Sequence, residues 1–191
     1  VFRTALFLPV TVSSVVVGFV WFFIYNPTVG LLNTTLHTFG LSQLAKAWLG
    51  DPQTAIYAII FVAFWQSLGA WVVIFLAALQ SVPPDIYESA SIDGANGWQR
   101  MIHIAVPMTR FTAEVLAILG CIGAIKAFDI VYLLTQGGPY HASEVMAIGV
   151  YLQAFNLSHF GYAAALSVVL LLISAIVTVV QLRLYSRTAD S

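Results

Sequence analysis

Charged residues are scarce in this chain: they make up 8% of its 191 residues, whereas 60% are hydrophobic. A soluble domain of this length has no interior large enough to hide so much apolar surface from water. We therefore predict an integral membrane protein and expect no nucleic-acid partner. The net charge of −1 identifies no other partner, because in a membrane protein the position of each charge matters more than the sum.

Motifs for catalysis and metal binding are also missing. An ATPase would need a phosphate-binding G-x-x-x-x-G-K-[ST] loop, but neither lysine, Lys46 or Lys126, follows a glycine. The sequence contains no H-E-x-x-H and no G-x-S-x-G, and its four histidines are widely separated. Its single cysteine, Cys121, excludes a disulfide within the chain. We predict no enzyme activity, no catalytic or metal site and no cofactor of its own.

Long apolar stretches supply the first positive evidence. The sequence predicts transmembrane helices over residues 4–25, 55–79, 111–134 and 161–182. A helix of 22 residues is roughly 33 Å long, which is enough to cross the hydrocarbon core. Residues 1–191 are therefore predicted to form one all-α membrane domain, a bundle of four helices with Pro9 tolerated inside the first. Because the first residues already belong to a span, we expect part of a longer protein to precede Val1.

Two connections outside the spans contain helix breakers and caps. After Asn26-Pro27, residues 31–49 are predicted to form a loop with a short interfacial helix. Between the third and fourth spans, Gly137-Gly138-Pro139 ends the helix. Ser143 is predicted to cap a further short helix that runs to about Phe155.

Residues 81–110 form a polar island between the second and third spans. Pro84 can start a helix, and acidic residues in its first turn favour the helix dipole. The sequence predicts one short helix over 85–93, a left-handed stop at Gly94, and a second amphipathic helix that Pro107 ends. The island is therefore predicted to be a helix pair outside the bilayer, a shape suited to docking a partner.

Basic residues predict which side of the membrane this island occupies. With residues 81–110 in the cytoplasm, only Lys46 falls outside, and five arginines fall inside: Arg3, Arg100, Arg110, Arg183 and Arg187. Cytoplasmic segments carry an excess of basic residues. The sequence therefore predicts a cytoplasmic island.

The island also resembles the EAA loop of ABC importer permeases, in particular their maltose-type, carbohydrate-uptake branch. The resemblance rests on Glu88-Ser89-Ala90, on Ile92-Asp93-Gly94-Ala95, and on Trp98, Ile104 and Pro107. Ser89 stands where alanine is usual in the family. Outside the island, the resemblance extends to Gly30, Asn33, Trp48, Asp51 and Pro52. It implies that the island docks in a groove of an ATPase and that the coupling residues are Glu88, Ser89, Ala90, Asp93, Gly94, Ala95 and Pro107.

The same resemblance implies a function and a set of partners. The chain would be a permease subunit in the cytoplasmic membrane of a bacterium or archaeon, importing a di- or oligosaccharide by alternating access. Its partners would be a second, homologous permease, two subunits that bind ATP and Mg²⁺, an extracytoplasmic solute-binding protein, and membrane lipid. The alternatives are an importer of a glycerol-phosphate-type solute, an ion-coupled secondary transporter, and a membrane scaffold.

Candidate residues for a substrate path come from two spans. Gln66 and Ser67 must face protein or water at mid-membrane, either along the path or in hydrogen bonds between helices. The resemblance implies substrate contacts after Trp65, at Gln66, Ser67 and Ala70, and in the later span at Gly120, Gly123, Ala124 and Ala127. Lys126 and Asp129 are predicted to share one helical face, as a structural ion pair or with a role in gating or ligand contact.

Overall fold

The computed structural model describes the backbone of residues 2–189 and the side chains of residues 3–183. Every regular element in that part of the chain is a helix, which confirms the predicted all-α fold. The α-helices are α1 (Phe2–Thr11), α2 (Ser14–Ile24), α3 (Leu31–Thr38), α4 (Ala55–Gln80), α5 (Pro84–Ile92), α6 (Gly97–Arg100), α7 (Val106–Met108), α8 (Arg110–Ile125), α9 (Asp129–Leu134), α10 (Met146–Tyr151) and α11 (Phe160–Ala189). There are also a 3-10 turn, Ser42–Leu44, and two π-helical segments, Met101–Ala105 and Leu152–Asn156. Arg187, one of the five arginines that favour a cytoplasmic island, lies outside the described side chains.

Two helices are each long and apolar enough to cross a membrane alone. They are α4 and the part of α11 from Phe160 to Arg183, and they match the predicted spans 55–79 and 161–182. Large apolar side chains on both helices are exposed, including Leu171 of α11, which is 64% exposed. A helix that is apolar on all sides needs lipid or another protein around it.

The first predicted span is a bent pair of helices rather than one continuous helix. Pro9 lies inside α1 as expected, but α1 and α2 meet at 103°. Thr11 Oγ1 donates to the Leu8 carbonyl over 2.8 Å, and Ser13 Oγ accepts from the Val15 N–H over 3.3 Å. These short polar side chains compete with the helical hydrogen bonds. The prediction of an unbroken helix over 4–25 is therefore wrong.

The third predicted span is also interrupted. α8 ends at Ile125 and α9 begins at Asp129, so Lys126 and Asp129 do not share a helical face, and that prediction is wrong. Among the described side chains the ion pairs are Arg110–Glu114 and His141–Glu144, so the predicted pair is absent. Lys126 is instead the C-cap of α8, and Asp129 lies in the first turn of α9. Each charge therefore favours the dipole of its own helix.

The buried apolar core lies where α2, α4, α9 and α10 meet. Its members are Val17, Tyr25, Ala58, Ile59, Val62, Val131, Leu134 and Ile148. The Tyr25 hydroxyl donates to the Ala58 carbonyl over 3.3 Å, which joins α2 to α4. Outside this core, α1 packs along α4 and α10 packs against α11. The core thus connects the first and third predicted spans to α4.

The loop before α10 is closed by a serine in an unexpected role. Val145, rather than Ser143, is the N-cap of α10. Ser143 is 1% exposed, and its Oγ lies 2.7 Å from Thr135 Oγ1 and 2.5 Å from the Gly138 carbonyl oxygen. The prediction that Ser143 caps the helix is therefore wrong, because its hydroxyl is hydrogen-bonded to these loop groups instead.

The loop between α2 and α4 is organised by one buried asparagine. Asn33 is 3% exposed, and its Nδ2 donates to the carbonyls of Pro27 over 3.1 Å and Lys46 over 2.9 Å. Its Oδ1 accepts from Trp48 Nε1 over 2.8 Å. One side chain therefore satisfies three polar groups contributed by both ends of the loop.

We expect Asn33→Leu to lower the free energy of unfolding by about 1–3 kcal/mol, because it leaves three partly buried polar groups without their partner. The measurement is thermal unfolding in detergent, monitored through tryptophan fluorescence. Asn156→Leu is the matched control, since Asn156 is exposed and surface changes usually stay within about 0.5 kcal/mol. Equal stability of the two variants would contradict this role for Asn33.

Candidate coupling loop and substrate path

The polar island begins with the short helix that the sequence predicted. Pro84 is at the first position of α5, where a missing N–H costs no hydrogen bond. Asp85 lies in the first turn, and Asp93 is the C-cap. The predicted helix over 85–93 is thus confirmed to within one residue at each end.

A left-handed turn follows α5 directly. Gly94 has φ +78°, a conformation in which residues with a Cβ are strained. The N–H groups of Gly94 and Ala95 donate back to the carbonyls of Ser91 over 3.1 Å and Ala90 over 2.9 Å. These bonds satisfy the last carbonyls of α5 and reverse the chain. The predicted stop at Gly94 is confirmed.

The second helix of the island carries its own cap. Asn96 Oδ1 accepts from the Gln99 N–H over 2.9 Å, and Gln99 Oε1 accepts from the Asn96 N–H over 2.8 Å. This reciprocal pair is a capping box. Arg100 Nη1 then donates to Ser91 Oγ over 2.8 Å, which ties the second helix to α5. Neither feature was predicted from the sequence, although the Asn-x-x-Gln spacing was a readable signal for the cap.

The second helix continues through the π-helical segment into α7, which contains Pro107. At Thr109 the chain bends by 59° into α8. Thr109 is 5% exposed, and its Oγ1 donates to the Ala105 carbonyl over 2.8 Å. The island is therefore joined to α4 by one short link and to α8 by a hydrogen-bonded bend.

Acidic and apolar side chains share the outer surface of the island. Glu88 and Asp93 are exposed, Ile92 is 87% exposed and Trp98 is 66% exposed. A cavity of about 370 Å³ lies between the two helices, lined by Ala90, Asp93, Gly94, Ala95, Gln99, Arg100, His103 and Ile104. The structure brings the predicted coupling residues from Glu88 to Ala95 together on α5 and its turn. Pro107 lies beyond the π-helical segment.

Gln66 of the candidate path makes hydrogen bonds between helices. Its Nε2 donates to the Val12 carbonyl and to Ser14 Oγ, both over 3.3 Å. Val12 lies in the gap between α1 and α2, where helical hydrogen bonding is interrupted. Gln66 therefore supports the bend in the first helix pair, while its place on a substrate path stays a prediction.

Gly69, to which no role was assigned from the sequence, allows the first helix to lie directly on α4. A Cβ atom at this position would be 2.1 Å from the Leu6 carbonyl oxygen and 2.7 Å from Phe7 Cα. Both are backbone atoms, so no change of side-chain rotamer could relieve the clash. Gly69 lies three residues after Gln66, and together the two residues seat α1 and the bend on α4.

The other path residues on α4 have local partners. Trp65 packs edge-on against Trp21, with ring centroids 5.5 Å apart. Ser67 Oγ donates to the Ala63 carbonyl of its own helix over 2.9 Å. Ala70 is half-buried. A substrate role for these three residues remains a prediction.

The later set of path residues surrounds the end of α8. Gly120 faces the Trp71 ring of α4. Gly123 and Ala124 are exposed, Ala127 is half-buried, and Lys126 and Asp129 are both exposed beside the break in the span. The structure thus brings small residues, a helix break and two charged side chains to one place.

Residues 1–190 match the protein family described as "Binding-protein-dependent transport system inner membrane component". One relative, a probable ABC transporter permease protein YurN of Bacillus subtilis, is 41% identical over 96% of this chain and 63% of its own length. Another, the diacetylchitobiose uptake system permease protein NgcF of Streptomyces coelicolor, is 37% identical over 88% of this chain and 48% of its own length. The chain therefore spans less than two thirds of these relatives.

The fold is that of a solved transporter. A chain of the bacterial alginate ABC transporter, crystallised with an alginate pentasaccharide-bound periplasmic protein, superposes with a TM-score of 0.91. The alignment covers 100% of this chain and 66% of that chain at 24% identity, which establishes a shared fold. The family match and the membrane-length helices confirm a multi-pass membrane protein. The chain belongs to the inner membrane components of binding-protein-dependent transport systems.

Proposed function

We propose that this chain is a permease subunit of an ATP-driven importer that carries a di- or oligosaccharide into the cytoplasm. The observation that carries the proposal is the exposed helix pair formed by α5 and α6, within a chain that matches the permease family from residue 1 to 190. A short helix that shows acidic and apolar side chains to solvent, and is fixed to membrane helices at both ends, can transmit the movement of a docked partner.

The mechanism is alternating access. An ATPase that grips α5 would move α4 through the link at residues 81–83 and α8 through the bend at Thr109. Because α4 holds α1 through Gly69 and the bend between α1 and α2 through Gln66, its movement would carry the first helix pair with it. The path would then open alternately to the two sides of the membrane.

The partners are those that the family resemblance implies. The chain has no phosphate-binding loop of its own, and two separate subunits would bind ATP and Mg²⁺ and hydrolyse the nucleotide. A second, homologous permease would cover exposed apolar faces such as that of α11, and lipid would cover the remainder. A solute-binding protein would deliver the sugar from outside the cytoplasmic membrane of a bacterium or archaeon.

A sugar is the favoured substrate for two reasons. Residues 81–110 resemble the maltose-type branch, and the 37% identical relative is named for diacetylchitobiose uptake. A glycerol-phosphate-type solute is the alternative within the same transport class, and an ion-coupled secondary transporter is the alternative outside it.

Uptake into proteoliposomes tests the proposal. The full-length protein is reconstituted with its co-purifying subunits and its binding protein, and radiolabelled maltose, diacetylchitobiose and glycerol 3-phosphate are supplied with ATP inside. We expect ATP-dependent uptake of at least one sugar. If glycerol 3-phosphate is the only solute taken up, the substrate belongs to the alternative class and is not a sugar. Uptake driven by an ion gradient without ATP, or an assembly without an ATPase, would contradict the importer.

A further inference from the structure

Four aromatic rings form a continuous cluster beside the break in the third span. Phe128 stacks on Tyr132 with ring centroids 5.3 Å apart and planes 15° apart. Tyr151 contacts both, at 5.4 Å from Phe128 and 4.9 Å from Tyr132. Phe155 extends the row from Tyr151 at 5.1 Å and is 70% exposed. We name Phe128, Tyr132, Tyr151 and Phe155 the aromatic ladder.

The position of the ladder argues against contact with lipid. It begins two residues after Lys126 and directly before Asp129, and both of these charged side chains are exposed. The helical backbone is also interrupted from residue 126 to 128. Because α9 packs along α2 of the first helix pair, this break lies beside a membrane segment, where charged side chains and irregular backbone are tolerated only against protein or water. The surface beside the ladder is therefore a water-filled path or a protein contact.

The chemistry of the ladder suits a carbohydrate. A sugar ring has apolar C–H faces and a rim of hydroxyls, so it needs flat apolar platforms beside hydrogen-bonding groups. The ladder supplies the platforms, and the Tyr132 and Tyr151 hydroxyls lie 3.3 Å apart at the edge of two rings. Lys126 and Asp129 add a donor and an acceptor that make no ion pair with each other or with other described side chains.

We propose that the aromatic ladder is a contact surface for the sugar on its way through the membrane, with Lys126 and Asp129 bonding its hydroxyls. This inference rests on the proposed function and adds four aromatic residues that neither the sequence pattern nor the family resemblance indicated. A lipid-facing ladder and a ladder buried against the second permease are the competing outcomes.

Cysteine accessibility tests whether water reaches the ladder. Phe155→Cys is introduced into the full-length protein after replacement of its native cysteines, and the assembled importer is treated with a charged, membrane-impermeant methanethiosulfonate. Leu171→Cys, in the middle of α11 and 64% exposed, is the control. We expect Phe155→Cys to react at least about tenfold faster than Leu171→Cys, because only a hydrated thiol ionises readily. We also expect excess maltose-loaded binding protein to slow the reaction of Phe155→Cys. Equal rates would overturn the proposal.

Transport by ring-removing variants tests whether the sugar uses the ladder. At saturating binding protein, Tyr151→Leu and Phe155→Leu are each expected to lower uptake of maltose or diacetylchitobiose by about 2- to 12-fold. ATP hydrolysis stimulated by the binding protein should persist, which a misfolded subunit would not show. Tyr162→Leu, at an exposed position of α11 outside the ladder, is the matched control and should stay within about twofold of the wild type.

The outcomes separate this inference from the proposed function. If the wild type imports a sugar and the leucine variants of the ladder match it, the ladder is not a sugar contact. If the wild-type importer moves neither sugar, the proposed sugar function fails, and the ligand assigned to the ladder fails with it.

Discussion

We expect Gly94→Val to lower sugar uptake by about 5- to 30-fold while the importer still assembles. Gly94 has φ +78°, and no atom lies within 4 Å of the place that a Cβ would occupy, so the cost comes from the backbone alone. A residue with a Cβ is strained by about 1–2 kcal/mol in this conformation, which shifts the equilibrium between the native turn and other conformations by about that factor. Under the proposed mechanism, a displaced α5 would fail to transmit movement to α4 and α8.

Two measurements on the same proteoliposomes check this result: sugar uptake and ATP hydrolysis. We expect hydrolysis to continue without a matching amount of transport. Gly97→Val is the matched control, because Gly97 also has open space around it but no positive φ. Gly94→Asn should retain most activity, since asparagine tolerates the left-handed region. Wild-type transport by Gly94→Val would show that the turn is not needed for coupling.

We expect Gly69→Val to have the largest effect on stability. Its Cβ would lie 2.1 Å from the Leu6 carbonyl oxygen, so α1 must move away from α4 as a body. Overpacking usually costs about 1–3 kcal/mol, and more where no side chain can adjust. Displacement of α1 would also endanger the hydrogen bonds from Gln66 to Val12 and Ser14.

Unfolding in detergent and the yield of monodisperse protein are the measurements for Gly69→Val. Gly161→Val is the control, because a Cβ at Gly161 meets no atom within 4 Å. We expect the control to behave like the wild type. Equal stability of the two variants would mean that α1 does not pack on α4 as closely as described.

The elements that local sequence rules govern were predictable. Pro84 and Gly94 delimit α5, and the long uncharged runs correspond to α4 and α11. In these places the signal and the structure depend on the same few neighbouring residues. The role of α5 in coupling stays a prediction, as do the roles of the path residues.

The breaks in the first and third spans were not predictable from apolar length alone. The average hydropathy of a segment does not show that the hydroxyls of Thr11 and Ser13 can form hydrogen bonds that compete with those of the helix. In the third span, the spacing of Lys126 and Asp129 indicates an ion pair only if the helix is continuous. Since the helix ends between them, each charge complements a different dipole.

Tertiary contacts were beyond reach for a different reason. The rings of Phe128 and Tyr151 come from segments separated by a loop whose course depends on the buried hydroxyl of Ser143. The contact of Gly69 with Leu6 likewise depends on the angle between α1 and α2. No local sequence pattern specifies the angle between α1 and α2.

Photocrosslinking measures the central claim most directly. A benzophenone amino acid is placed at Glu88 on α5 or at Lys46 in the loop between α2 and α4, and each full-length variant is illuminated within the assembled importer. We predict that the probe at position 88 captures the ATP-hydrolysing subunit and that the probe at position 46 does not. Capture of that subunit from position 46, or its absence at position 88 in an intact complex, would contradict a coupling role for α5.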